Sequence, residues 1–228
     1  MEVLCQKEQV VQEKIKMQQI KTSNINSSKS QEQKRLNLLW GFVGTNRTGK
    51  SAMARIYAEI WRKNNPDSAI VSFDPQKRFV GISDWNIEPD DENWAVGLLG
   101  LRNALIILDD FRLINEKNTP VDGLKKLIYH RADWNIDIIY IAHNPSLIIN
   151  LLTYFTSHYF LFYTEASDGS FQKKIANYQL CMNGQRLINK YVRANGRGDY
   201  PNFPHVIVDC ETRELNAINF INHIKRIK

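Results

Sequence analysis

Residues 44–51 have the types and the spacing of a phosphate-binding loop. They read Gly-Thr-Asn-Arg-Thr-Gly-Lys-Ser, which is the P-loop pattern G-x-x-x-x-G-K-S. The glycines allow successive backbone N–H groups to curl round a phosphate. The lysine reaches the β- and γ-phosphates, and the serine hydroxyl is a ligand for Mg²⁺. The pattern predicts that ATP is bound by Gly44, Thr45, Asn46, Arg47, Thr48, Gly49, Lys50, Ser51 and Ala52.

The segments on either side of this loop are the ones that a P-loop requires. Residues 38–43 are an apolar run that stops at a glycine, which is typical of a buried strand. Residues 51–61 have the periodicity of a helix, and Asn64-Asn65-Pro66 ends it. The loop therefore leads into a helix N-terminus, whose dipole favours a bound anion. A strand–turn–helix connection that merely contains glycines is the alternative.

An acidic pair supplies a second requirement of ATP hydrolysis, a carboxylate for Mg²⁺. Residues 104–108 form an unbroken apolar run, which predicts a central strand, and Asp109 and Asp110 follow it. This is the Walker-B pattern. We expect Asp109 to hold Mg²⁺ through a water molecule and Asp110 to polarise the attacking water. An acidic pair in this place is also common as a helix cap or at the start of a loop.

Further polar side chains are candidates for contact with the γ-phosphate. His143 and Asn144 follow the apolar run 136–142, and we expect His143 to sense the γ-phosphate. Arg131 precedes that run and is a candidate arginine finger, a positive charge that stabilises the transition state. A satisfied polar residue and a surface arginine are the alternatives for these two positions. Arg47 lies inside the loop, where exposure to solvent is favoured over contact with phosphate.

Strand-like and helix-like segments alternate along the chain. Predicted strands cover residues 38–43, 69–73, 104–108, 136–142, 159–163 and 205–209, with predicted helices at 51–61, 120–133 and 147–154. The alternation predicts an α/β fold with a mostly parallel central sheet flanked by helices. Residues 76–94 are expected to be an irregular acidic loop. Because ligands bind at the carboxyl ends of parallel strands, the P-loop, Asp74, Asp109 and His143 should converge.

Charge is unevenly distributed along the 228 residues, whose formal net charge is +6. Residues 1–35 carry seven Lys/Arg and four Asp/Glu, residues 36–171 carry thirteen and sixteen, and residues 172–228 carry ten and four. The three parts therefore have net charges of +3, −3 and +6. This pattern favours an anionic polymer such as DNA, bound through the basic C-terminal part that contains Lys173, Lys174, Arg193 and Arg197. Solvated basic tails are the alternative.

Composition and targeting features are those of a soluble cytoplasmic protein. Hydrophobic residues make up 43% and charged residues 24% of the chain, and its three cysteines are far apart in sequence. We expect no secretory signal and no transmembrane segment, because polar residues interrupt the uncharged stretch 144–164. Residues 1–35 are expected to form a helical or flexible extension. Residues 36–228 are expected to form one P-loop ATPase domain, with 172–228 as its basic part.

The order of these motifs resembles the FtsK/HerA superfamily of DNA-pumping ATPases. The resemblance covers residues 36–165: the P-loop, a strand that ends in Asp74-Pro75-Gln76-Lys77, the acidic pair, Arg131 and a strand that ends before His143. Only the P-loop is sharply specific. The superfamily usually has Asp-Glu where this chain has Asp109-Asp110, and Gln where it has His143. By size, the chain is most similar to small viral genome-packaging ATPases.

The resemblance implies a motor that hydrolyses ATP with Mg²⁺ and translocates DNA, packaging a viral genome into a capsid. It also implies a hexameric ring in which an arginine of one subunit completes the site of its neighbour, and Arg131 stands at a family-like position. A capsid portal or vertex protein is then an expected partner, and the host cytoplasm or the virion the expected location. The alternatives are a filamentous-phage-type assembly ATPase, a P-loop small-molecule kinase and a non-catalytic scaffold that retains a nucleotide.

Overall fold

A computed structural model of the chain describes residues 37–87, 94–109, 122–148, 150–165, 175, 177–200 and 202–217. The predictions for the extension 1–35, for Asp110 and for Lys173 and Lys174 lie outside these residues. The start of the predicted helix 120–133 does as well. None of the described helices is long and apolar enough to cross a membrane.

The described strands form one mixed sheet. The strands are β1 Leu39–Val43, β2 Ala69–Phe73, β3 Trp85–Ile87, β4 Ala104–Leu108, β5 Ile136–Ala142, β6 His158–Leu161, β7 Val206–Asp209 and β8 Glu214–Ala217. Their order in the sheet is β3-β2-β4-β5-β1-β6-β7-β8, and all neighbours from β3 to β6 are parallel, whereas β7 and β8 are antiparallel additions at one edge. The predicted fold class is confirmed.

Helices cover both faces of the sheet. They are α1 Lys50–Asn64, α2 Trp94–Gly97, α3 Asp122–His130, α4 Asn150–Phe155 and α5 Tyr178–Asn195, with short 3-10 turns at Leu98–Gly100 and Pro145–Leu147. On one face lies α1, whose buried side chains recur every three to four residues (Met53, Ala54, Tyr57, Ala58, Trp61). The other four helices share the opposite face. Strands β1, β2, β4 and β5 are buried throughout, as central strands covered on two faces must be.

Aromatic rings fill the core beneath α1. Phe42 stacks on Phe160 with ring centroids 4.4 Å apart, and Tyr57 meets both rings edge-on at 5.7 and 4.9 Å. These contacts join β1 and β6 to the helix that begins at the P-loop. Pairs of this kind add about 0.5–1.5 kcal/mol each beyond their buried area, so α1 is firmly seated on the sheet.

The expectation of an irregular loop over residues 76–94 is wrong in part, because Trp85–Ile87 forms strand β3 and pairs with β2. Three residues of intermediate burial give no alternating pattern that would reveal them. The sequence of residues 172–191 mixes helix-like and strand-like cues, and residues 178–191 belong to one long helix, α5. The stretch 193–199, which contains two arginines and two glycines, predicts a basic loop, but Arg193 lies within that helix. Predicted helix 147–154 begins later, at Asn150.

Candidate nucleotide site

The P-loop connects β1 to α1 at the carboxyl edge of the sheet. The Gly44 N–H donates to the carbonyl of Ala142, 3.1 Å away, at the end of the neighbouring β5. A Cβ on Gly44 would lie 2.6 Å from the Phe162 Cβ, so the turn admits only glycine here. Thr45 is tied to the same segment, because its N–H and its hydroxyl both donate to the carbonyl of Tyr163, at 2.9 and 3.2 Å. The loop is therefore fixed to the two strands beside β1.

Gly49 makes the turn into α1. Its φ of 90° lies in the left-handed region that glycine adopts without strain, and the Met53 N–H donates to its carbonyl at 2.9 Å. Within the loop, the hydroxyl of Thr48 donates to the carbonyl of Thr45 at 2.8 Å. The Nζ of Lys50 donates to that same carbonyl at 2.6 Å. The lysine is thus held over the loop, which is where a β- or γ-phosphate would meet it.

The remaining P-loop residues predicted to bind nucleotide lie around this turn. Asn46 and Arg47 are exposed at its tip, and Arg47 has a φ of 60°. Thr48 is buried, whereas Ala52 is half-buried in the first turn of α1. Exposure of Arg47 agrees with the interpretation that favours solvent for this side chain.

Ser51 and Asp109, the two predicted Mg²⁺ ligands, meet in the fold. The Ser51 hydroxyl donates to Oδ2 of Asp109 at 3.2 Å, although 58 residues separate them in the chain. Asp109 is buried, and its N–H donates to the carbonyl of Phe73 at 2.8 Å, which fixes its backbone at the end of β4. A hydroxyl and a carboxylate side by side are hard oxygen donors. They suit Mg²⁺, which takes one or two protein oxygens together with the phosphates of its nucleotide.

Arg78 is a site residue that the sequence did not single out. Its Nη1 donates to Ser51 Oγ at 3.0 Å and lies 3.1 Å from Asp109 Oδ2, so one nitrogen contacts both predicted metal ligands. Its Nη2 contacts Gln76 Oε1. The guanidinium thus adds a positive charge to the site from the loop that follows β2.

The Asp74 carboxylate shapes the turn that brings Arg78 to this place. Asp74 is buried at the end of β2, and its Oδ1 and Oδ2 accept hydrogen bonds from the N–H groups of Gln76 and Phe79, at 3.2 and 2.7 Å. Both carboxylate oxygens of Asp74 therefore accept hydrogen bonds from backbone N–H groups of the turn. The signal that would have found Arg78 is a basic residue one turn after an Asp-Pro that ends a parallel strand.

His143 lies beside the P-loop at the end of β5. That strand pairs with β1 on one side and with β4 on the other, and Ala142 is opposite Val43. His143 follows Ala142 at the end of β5. It therefore lies between the P-loop, which follows β1, and Asp109, which follows β4. The fold therefore brings together at one edge the P-loop, Asp74, Asp109 and His143, as the sequence predicts.

Arg131 lies at the opposite edge of the sheet. It follows α3 and precedes the amino end of β5, where its Nη1 donates to the carbonyl of Ile128 at 2.9 Å and its guanidinium lies over the Phe155 ring at 5.3 Å. Burial lowers the pKa of Arg131, and the nearby carboxylates of Asp137 and Glu211 oppose this shift. Arg131 is thus separated from the P-loop by the length of β5.

Arg193 and Arg197, the two arginines predicted to contact DNA from residues 193–199, have different surroundings. Arg193 is exposed in the last turn of α5. Arg197 reaches back to the P-loop: its Nη1 donates to the carbonyl of Asn46 at 3.4 Å, its Nη2 pairs with Glu165 at 3.0 Å, and its guanidinium lies over the Tyr163 ring at 5.1 Å. Arg197 therefore links the C-terminal part of the chain to the nucleotide site.

Solved structures share this arrangement of strands and helices. The genome-packaging NTPase B204 of Sulfolobus turreted icosahedral virus 2, in complex with AMPPCP, matches with a TM-score of 0.55 at 10% identity, over 80% of this chain and 97% of that chain. The DNA-packaging ATPase B204 of Sulfolobus turreted icosahedral virus matches with a TM-score of 0.54 at 10% identity, over 81% and 98% of the two chains. The chain has the fold of FtsK/HerA-type P-loop ATPases.

A cellular protein shares the same fold. EccC of Thermomonospora curvata, represented by its ATPases 2 and 3, matches with a TM-score of 0.53 at 12% identity, over 81% of this chain and 37% of that chain. No protein-family model and no curated protein matches the sequence. The likeness at 10–12% identity establishes the fold of the chain.

Proposed function

We propose that this protein hydrolyses ATP with Mg²⁺ at the carboxyl edge of its sheet and uses the energy to translocate DNA. The observation that carries the ATPase part is the contact between Ser51 and Asp109. It joins the end of the P-loop to the carboxylate after β4 at 3.2 Å, across the intervening strand β5. A glycine-containing turn without a nucleotide function has no need of such a contact.

Each residue of the site then has a role in phosphoryl transfer. The N–H groups of residues 44–51 and the ammonium of Lys50 bind the phosphates, while Ser51 and Asp109 hold Mg²⁺, which neutralises charge on the phosphates. Asp110, the next residue after Asp109, orients the attacking water. His143, between the P-loop and β4, senses the γ-phosphate. In this proposal the loop after β1 binds the phosphates, the residues after β4 hold Mg²⁺ and orient the water, and the residue after β5 senses the γ-phosphate.

Translocation of DNA is proposed from the charge of α5 and from the likeness to B204, which is named as a DNA-packaging ATPase. Arg186, Lys190 and Arg193 are exposed at spacings of four and three residues, which puts three positive charges on one face of the helix. Tyr191 is also exposed on this helix, outside that face. Such a face suits phosphates of any sequence. Packaging of a viral genome, with a capsid portal or vertex protein as partner in the host cytoplasm or virion, is the process we propose.

A ring is the proposed assembly, most simply a hexamer. A ring is proposed because Arg131 is too far from its own nucleotide site to act there. An arginine finger at this position requires that the amino edge of one subunit meets the carboxyl edge of the next. Phosphoryl transfer is accelerated by such a finger when it is supplied by a neighbouring chain.

ATP hydrolysis measured with and without double-stranded DNA tests this proposal. We expect DNA to stimulate the rate and the stimulation to fall steeply with salt, because phosphate contacts release counterions. The double variant Lys190→Ala/Arg193→Ala should lower the ratio of the stimulated to the basal rate. Lys63→Ala/Lys126→Ala removes as many exposed charges from α1 and α3 and should preserve it. A rate indifferent to DNA would favour a small-molecule kinase, and no hydrolysis at all would favour a scaffold.

A further inference from the structure

The guanidinium of Arg78 lies where the two predicted metal ligands converge. Its Nη1 is within 3.1 Å of both Ser51 Oγ and Asp109 Oδ2. Mg²⁺ held by Ser51 and Asp109, directly or through its bound water, would need the same two oxygens that Nη1 contacts. Two positive charges at one carboxylate oxygen would also repel each other. The guanidinium and the metal ion would therefore compete at Asp109.

We propose that Arg78 is a built-in counter-cation of the nucleotide site, which neutralises Asp109 until Mg²⁺ displaces it. The inference rests on the proposed nucleotide function and deepens it. It makes Mg²⁺ binding an exchange of one cation for another rather than a simple addition. Arg78 is thus a positioning residue that sets the concentration of Mg²⁺ at which the site loads.

The surroundings of Arg78 allow its side chain to move while its backbone stays in place. The carboxylate of Asp74 fixes the turn, and Nη1 of Arg55 in α1 donates to the carbonyls of Arg78 and Val80, at 2.7 and 3.2 Å. The Arg78 side chain itself is 37% exposed, so the route from Asp109 to solvent is open. Exchange requires only a change of side-chain rotamer, which exposed residues make within nanoseconds.

This arrangement gives Arg78 opposite effects with and without the metal. When Mg²⁺ is present, the ion pair with Asp109 competes with metal binding, so loss of Arg78 should make Mg²⁺ more effective. When Mg²⁺ is chelated, Asp109 without Arg78 is a bare carboxylate that repels the phosphates of a nucleotide. Loss of Arg78 should then weaken nucleotide binding. A residue that only supported the fold would change both in the same direction.

Binding of a fluorescent ATP analogue to Arg78→Gln and to the wild-type protein, at a series of Mg²⁺ concentrations and in EDTA, tests the proposal. We expect the half-saturating Mg²⁺ concentration of the variant to fall by about fivefold, the scale of a partly exposed ion pair. In EDTA its nucleotide affinity should be weaker than that of the wild-type protein by a similar factor. Far-UV circular dichroism confirms that the variant is folded.

Lys77→Gln is the matched control, because it removes one exposed positive charge from the adjacent position of the same turn. It should leave both quantities near their wild-type values. Equal effects of Lys77→Gln and Arg78→Gln, or an unchanged Mg²⁺ requirement in Arg78→Gln, would overturn the counter-cation role while nucleotide binding stood. A wild-type protein that binds no nucleotide at any Mg²⁺ concentration would overturn the proposed function and this inference together.

Discussion

The two edges of the central sheet use their polar side chains differently. At the carboxyl edge, Ser51, Asp109 and Arg78 contact one another through their side chains. At the amino edge, Asp137 accepts hydrogen bonds from the Leu38 N–H at 2.7 Å and from Trp61 Nε1 at 2.6 Å, which ties β1 and the end of α1 to β5.

Ser157 has the same role as Asp137. Its hydroxyl accepts from the Leu39 N–H at 2.9 Å and donates to the Leu39 carbonyl at 3.0 Å. Asp137 and Ser157 thus join strands through backbone groups, whereas Ser51, Asp109 and Arg78 pair with side-chain groups that a ligand can replace. One partner among these three side chains can be exchanged without breaking a backbone hydrogen bond. This difference supports the carboxyl edge as the place of the proposed chemistry.

Arg131 is the residue of the amino edge for which we propose a chemical role, and its replacement should have the largest effect outside the P-loop. Arg131→Ala should lower the rate of ATP hydrolysis by at least about a hundredfold if it acts as a finger in the neighbouring subunit. Mixing it with Lys50→Ala subunits should restore part of the rate, because some interfaces then combine an intact finger with an intact P-loop. Rate measurements over a range of mixing ratios provide the check.

Arg102→Ala is the control for Arg131, since Arg102 lies at the same edge with its guanidinium over the Trp134 ring at 4.4 Å. It should leave the rate of hydrolysis near that of the wild-type protein. If mixing restores no activity and the protein sediments as a monomer, Arg131 is not an arginine finger and the proposed ring is contradicted.

Asp137→Asn should affect folding rather than nucleotide binding. The Asp137 carboxylate accepts one hydrogen bond on each of its oxygens. In the asparagine variant, one of the two N–H donors would face the side-chain NH₂ group, which cannot accept. A buried donor without an acceptor costs about 1–3 kcal/mol. We expect the free energy of unfolding in urea to fall by that amount, with the affinity for ATP unchanged. Asp133→Asn is the control, because Asp133 is exposed, and it should change stability by less than about 0.5 kcal/mol. A loss of ATP affinity in Asp137→Asn would break the division between the two edges.

The sequence was sufficient for the central strands and for most of the site. Continuous apolar runs such as Ile136–Ala142 can be recognised in the sequence because both faces of the strand are buried. The P-loop can be recognised because phosphate binding constrains eight consecutive positions. From these two facts the convergence of Ser51, Asp109 and His143 follows by the rule for parallel sheets.

Arg78 and Trp85–Ile87 could not be found in the same way. The turn after Asp74-Pro75 hints at a basic residue near this strand end, but only the fold shows that Nη1 of Arg78 contacts Ser51 and Asp109, 27 and 31 residues away in the chain. Strand β3 has three residues of intermediate burial, so it lacks both the length and the alternation that identify strands. In both cases a contact remote from local sequence decided the outcome.

The most direct test of the central claim is the rate of Mg²⁺-dependent ATP hydrolysis by the wild-type protein and by Lys50→Ala, measured at the same protein concentration. In the proposed mechanism the Lys50 ammonium contacts the phosphates throughout the reaction, so we expect turnover in the wild-type protein and its loss in a Lys50→Ala variant that remains folded. Equal rates in the two proteins would contradict the account, because hydrolysis would then take place away from the P-loop.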